Sequence, residues 1–248
     1  MARLAGPEAA EAVRLLGERT QPLSLAVERT VPVMPALAGL MPTGGVPQGS
    51  TVELSGRAAT SLSLALVARA SQEGSWVVAV GLPELGLAAA AGLGVDLERL
   101  VLVDRPPPSS WATVVATLVE AFDVVLICPD RPTPLNHARR LQAQGRERGG
   151  LVLVSGAGPK AWPVAADVVL RTTDTRWSGI GDGHGHLQRR QVTVEAGGRR
   201  GAARLRRATL WLPGPDGKVG VARPSVDERS PRAEDGDTER GVAWPRVG

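Results

Sequence analysis

The sequence of 248 residues holds 29 Lys and Arg against 25 Asp and Glu, a formal charge of +4, with 43% hydrophobic residues and one cysteine, Cys128. That length suits one α/β core of ordinary size plus an extension, and a single cysteine excludes an internal disulfide and a Cys-rich zinc site. No run of about 18 apolar residues occurs, and Glu8 and Glu11 stand where a signal peptide would be apolar, so a soluble cytoplasmic protein without membrane contact is expected.

Residues 7–19 read as a short amphipathic helix, an N-terminal arm (1–30) that docks on something. Residues 31–49 are broken by four prolines and several glycines and are expected to be a loop-rich entry. The pattern then alternates. Strands are expected at 51–55, 76–80, 100–103, 123–128 and 151–154, and helices at 60–71, 85–93, 111–121 and 135–148. Repeated β-α units of this length imply a doubly wound, mostly parallel sheet. After Asp167 come strands without helices, at 168–172, 191–195 and 208–212, so the sheet should end in antiparallel edge strands. Between the first two lies a Gly-rich loop, WSGIGDGHGHLQ (177–188). The core is thus placed at 31–213. From 214 to 248 the chain is rich in Pro, Gly and mixed charge without periodicity, which predicts a disordered tail.

The basicity is local. Arg176, Arg189, Arg190, Arg199, Arg200, Arg204, Arg206 and Arg207 face only Asp182 and Glu195 within one stretch, so the rest of the chain is slightly acidic. These arginines, apart from Arg176, are candidates for contact with a phosphate backbone or an acidic protein surface, beside a simple solubilising role. Trp177, which opens the Gly-rich loop, and Trp244, in an otherwise polar tail, are candidate anchors for a partner or DNA. Trp76, Trp111 and Trp211 fall in predicted core elements, where packing accounts for them. Asp182, His184 and His186 alternate as metal ligands do, but three ligands without a fourth are a weak set; glycine turn chemistry accounts better for the stretch, and no metal is expected. Cys128 ends an apolar strand, which predicts a buried, inert thiol.

Three colinear stretches carry a family resemblance. GGVPQGSTVELSG (44–56), LGLAAAAGLGVDLERLVLV (85–103) and RQVTVEAGGRRGAARLRRATLWL (190–212) resemble, in order, the lead-in and first core strand, a central helix and strand, and the closing strands of the RecA family. The resemblance implies a phosphate-binding loop after the first strand. Such a loop needs G-x-x-x-x-G-K-[ST], because backbone amides wrap the phosphates, Lys neutralises them and the hydroxyl binds magnesium. Here the segment is GRAATSLSLAL (56–66). Gly56 survives, but the second Gly and the Lys are missing, leaving Arg57, Ser61 and Ser63 in a degenerate loop. The positions that match the catalytic Glu and the metal-organising Asp of the family are Leu82 and Cys128, with Glu84 and Asp130 two residues further on. A non-catalytic chain without a cofactor is therefore expected.

Within that superfamily, VGLPELGLAAAAGLGVDLERLVLV (80–103) and RWSGIGDGHGHLQRRQVTV (176–194) are similar to ImuA, in particular its short actinobacterial form. That resemblance implies an adaptor in DNA-damage-induced error-prone translesion synthesis. It would bind an ImuB-like inactive polymerase homologue, act indirectly with an error-prone replicative-type DNA polymerase, contact DNA, and join the nucleoid when DNA is damaged. Two other readings remain open at this point: a SulA-like inhibitor of cell division, and a RecA-type ATPase with an unconventional site.

Overall fold

The computed structural model describes residues 29–155, 162–181, 184–199 and 205–222. The expected helix at 7–19, Asp182, Arg200, Arg204 and Trp244 lie outside the described residues. The chain forms β1 (Thr30–Pro32), α1 (Pro35–Ala38), β2 (Gly45–Pro47), β3 (Thr51–Ser55), α2 (Ala59–Gln72), β4 (Val77–Val80), α3 (Leu87–Gly92) and a 3-10 turn (Leu97–Arg99). It continues through β5 (Leu100–Val103), α4 (Trp111–Ala121), β6 (Val124–Ile127), α5 (Leu135–Arg148), β7 (Leu151–Ser155), β8 (Val168–Gly181), β9 (His184–Gly198), β10 (Arg206–Trp211) and β11 (Gly220–Val221).

Nine strands make one sheet in the order β11-β10-β9-β8-β3-β7-β6-β4-β5. From β8 to β5 the pairing is parallel, and from β8 to β11 it is antiparallel. Every residue of β4, β6 and β7 is buried, as it must be where a parallel sheet carries helices on both faces. One face packs Val52, Leu54, Val77, Ala79, Leu126 and Leu153 against Leu62, Leu66 and Val67 of α2. The opposite face packs Val78, Val80, Val125, Ile127, Val152 and Val154 against Val115 and Val119 of α4, Ala138 and Leu141 of α5, and Trp162. Helix α5 stops at Gly149, whose φ of 76° closes it in the left-handed region where a side chain would be strained.

Past β3, the face of α2 continues as apolar core through Val192, Val194, Ala196 and Leu210. Arg171, Asp174, Arg176, Arg189 and Arg207 are exposed, and the pairing puts them together on the other side. There, among the described residues, α4 and α5 cover β5, β4, β6 and β7.

Several expectations need correction. The entry segment carries a small antiparallel sheet, β1 with β2, and a turn of helix; three-residue strands are too short for a readable period. Residues 177–181 and 184–188 do not form a free loop but the outer part of a β8–β9 ribbon. Its alternation is masked by two register shifts, at Thr172/Asp174 and Ser178/Ile180. Ordered chain also runs past 213, since β11 pairs with β10 and the Ala222 amide donates to the Thr209 carbonyl. Trp76 precedes β4 and is 42% exposed, with the Arg99 guanidinium 5.0 Å from its ring centroid, so it is not a core residue. Trp111 and Trp211 are half-buried. Cys128 follows β6 and is half-buried.

Candidate functional site

The first candidate is the turn from β3 into α2, where a phosphate loop would lie. Gly56 sits there at a φ of 99°. A Cβ at this position would run into the hydroxyl and carbonyl oxygens of Thr172 on β8. Glycine is therefore demanded by the close approach of the neighbouring strand. The Thr172 hydroxyl donates to the Ser55 carbonyl (3.2 Å) and accepts from the Ala58 amide (3.4 Å). That amide belongs to the turn which, in a phosphate site, turns its N–H groups to the anion. Here a threonine oxygen holds the place, and Ala58 and Ala59 are buried behind it.

The other loop residues are placed accordingly. Ser63 is buried and donates to the Ala59 carbonyl at 2.8 Å inside the helix. Ser61 is half-buried and Arg57 is exposed. At the matching positions on the neighbouring strands, Leu82 packs against the core, while Glu84 and Asp130 are exposed, Asp130 lying 3.5 Å from Arg131. Burial pushes the Cys128 thiol up and Arg105 only partly offsets it, which keeps the sulfur protonated.

The second candidate is the arginine-bearing ribbon, and its members separate into two kinds. Arg190 is only 8% exposed: Nε donates to the Leu212 carbonyl (2.7 Å), and the guanidinium lies 4.8 Å from the centroid of Trp177. Burial lowers its pKa. It clamps β9 to the end of β10 and is not presented to a phosphate. Arg199 donates to the Ala165 carbonyl (2.7 Å), and Arg207 pairs with Glu195. Arg206 is half-buried, with one terminal nitrogen buried and unpartnered among the described residues. Arg189 differs. It is exposed on the open sheet face, donates to the Ser178 hydroxyl (2.9 Å) and lies 5.5 Å from the Trp211 centroid.

Arg176 opposes Gln191 on that same face, and Arg171, which the arginine count had passed over, opposes Glu195. Strand alternation through 168–171 was the signal that would have found Arg171. Glu53 on β3 neighbours it, and burial raises the Glu53 carboxyl while Arg171 lowers it in part. Trp177 is 41% exposed, and His186 is exposed near the ribbon tip. Nothing is described of the His184 side chain. Among the described residues no group of three or more His, Cys, Asp or Glu could hold a metal, and no helix is long and apolar enough to cross a membrane.

A family model described as the MT3502 N-terminal domain matches residues 39–164. Over 119 residues the chain is 35% identical to the uncharacterized protein Rv3395c of Mycobacterium tuberculosis, covering 47% of this chain and 57% of that protein. The chain thus matches little more than half the length of that relative. Among solved structures, a crystal structure of the RadB recombinase superposes with a TM-score of 0.52 at 14% identity, over 73% of this chain and 94% of that one. At that identity the likeness shows the fold alone, and the fold is RecA-like.

Proposed function

The chain belongs to the family of the MT3502 N-terminal domain, and we propose, from its RecA-like fold and the sequence resemblance to ImuA, that it is a non-catalytic RecA-like adaptor of an error-prone translesion synthesis complex, binding an ImuB-like inactive polymerase homologue. The observation that carries this reading is the closed turn at Gly56. The amide a phosphate would need is bonded to Thr172, and neither lysine of the chain, Lys160 or Lys218, belongs to that turn. A RecA-like core relieved of nucleotide chemistry still presents folded surfaces, and binding is what such a core has left to offer.

The decisive experiment is co-purification of the tagged full chain from DNA-damaged cells. The ImuB-like protein and the error-prone polymerase are expected to come with it, and a preparation that hydrolyses ATP with DNA present would sink the reading. Direct DNA contact is a second element of the proposal, favoured by Arg171, Arg176 and Arg189 on a sheet face that no element among the described residues covers. Arginines in such a setting contact phosphates without reading sequence.

A further inference from the structure

Among the basic residues of the ribbon, Arg190 is set apart by what it lacks. It continues the row of Val192, Val194 and Ala196 that faces the core, and it is 8% exposed. A charge taken that far from water is kept when it is paired or fully hydrogen-bonded. The neighbouring arginines meet that condition or are hydrated: Arg207 pairs with Glu195, Arg199 donates to the Ala165 carbonyl, and Arg176 and Arg189 are exposed. Arg190 has no carboxylate at ion-pair distance among the described residues. Burial alone lowers its pKa, with no acid near enough to oppose that shift.

Its protein contacts leave part of the guanidinium unused. Nε donates to the Leu212 carbonyl (2.7 Å), and the group stands over the Trp177 ring, 4.8 Å from the centroid. The two terminal nitrogens carry the remaining donors and have no hydrogen-bond partner among the described residues. They are also reachable: Arg206 has a terminal nitrogen that is buried and unpartnered, and neither nitrogen of Arg190 is closed off in that way. Parallel N–H donors in one plane suit a carboxylate, which accepts both at once. The opening is small, so it admits a single side-chain carboxylate and not a run of phosphates, whose backbone must lie along a surface.

The sequence contains a fitting occupant. Residues 223–248 lie outside the described residues, and within them Glu234, Asp235, Asp237 and Glu239 follow one another with no basic residue between them. Asp227 and Glu228, by contrast, stand among Arg223, Arg229 and Arg232. Reach is ample. The Ala222 amide donates to the Thr209 carbonyl, and Thr209 opposes Thr193, three residues along β9 from Arg190. At about 4.8 Å per strand and about 3.4 Å per residue, Ala222 and Arg190 are roughly 14 Å apart. The chain from Ala222 to Glu234 spans up to about 40 Å when extended. Tethering also brings the acidic run to a local concentration on the order of millimolar, so a contact too weak to join separate molecules persists within one chain.

We propose that the niche of Arg190 and Trp177 is a carboxylate site, filled in the free protein by the acidic run 234–239 of the same chain. The contact goes beyond the adaptor reading and does not depend on it. It leaves the niche self-occupied, so that an acidic segment of a partner reaches Arg190 by displacing this run.

The test uses the full chain, isotopically labelled, beside a variant in which Glu234→Gln, Asp235→Asn, Asp237→Asn and Glu239→Gln are combined. These positions lie outside the described fold, so its packing is untouched. The Arg190 Nε–H and Trp177 indole signals are expected to move in the variant, while those of Arg189 Nε–H and the Trp76 indole stay. A peptide of residues 234–239, added to the variant at a concentration on the order of millimolar, should return the moved signals toward their wild-type positions, and its all-amide counterpart should not. In the wild type the signals should not depend on protein concentration. Unmoved signals in the variant, or movement at Arg189 in place of Arg190, overturn the site. Failure of the acidic peptide to restore the signals, or equal restoration by the amide peptide, overturns it as well. Wild-type signals that revert to those of the variant on dilution overturn the occupant, because the run then comes from a second copy.

Discussion

At Gly56 a residue that looks like the remnant of a phosphate site has a structural occupation, because β8 passes so close that only a hydrogen fits. Gly56→Ala is therefore expected to destabilise the fold by at least about 1–2 kcal/mol, the cost of a left-handed backbone with a side chain, with the contact to Thr172 adding to it; urea denaturation measures this. A residue kept only for a vanished ligand would show no change. Glu53 makes a second prediction at this scale. Its carboxyl is raised in the folded chain, mainly by burial, so the folded state holds its proton to higher pH than the unfolded state. Stability from this group is then greatest at acid pH and falls as pH rises from the ordinary carboxylate range through the raised value. Glu53→Gln should remove that fall, seen as melting curves that converge with wild type in acid and separate above it.

The elements of the parallel core were legible in the sequence for plain reasons. Short β-branched apolar runs such as VVLI in β6, set between helical patterns, read as doubly covered strands, and α4 and α5 begin and end where the sequence placed them. The ribbon was not legible. Two register shifts break the period of two in β8 and β9, and Gly179, which sits at the second of them, belongs to the glycine-rich run that makes the segment look like a loop. The same blind spot affected the candidate site. Spacing alone put Arg190 beside Arg189 as an equal, whereas adjacent residues on a strand face opposite ways, one into the protein and one into solvent. The closure by Thr172 was out of reach for another reason: it joins residues more than a hundred positions apart. If the uncovered face meets DNA, charge reversal at Arg171, Arg176 and Arg189 should flatten the log–log salt dependence of binding by about 0.9 per lost duplex contact. The same reversal should lower melting somewhat, because Arg171 stands beside Glu53 and opposite Glu195 and Arg189 donates to Ser178, so reversal of Arg176 alone is the control that leaves melting nearly unchanged. An unaltered slope would remove this face from the proposal.

For the molecule as a whole, the RecA-like arrangement follows from the colinear order of units, which one sequence displays, and is matched by the RadB likeness. Composition misjudged where the fold ends, because β11 is a two-residue strand in a stretch of Pro, Gly and charge. A chain ended at 213 should therefore melt lower than one ended at 222, since it loses the β10–β11 pairing and the Ala222 to Thr209 hydrogen bond. Equal melting temperatures would restore the earlier boundary.

The bond from Thr172 to the Ala58 amide also bears on the chain's history. A loop that had merely lost its lysine would be one substitution away from regaining it. Here the adjacent strand β8 packs tightly against the turn, and the Ala58 amide is engaged by the Thr172 hydroxyl. A phosphate site at this turn would then require at least two changes in distant parts of the chain, the first of which gains nothing. Ser61→Lys alone is expected to confer no ATP binding in equilibrium dialysis, and measurable binding by that single variant would disprove the argument. If the adaptor reading holds, such a closure works as a ratchet: selection sees no intermediate worth keeping, and the fold is committed to whatever its surfaces can do.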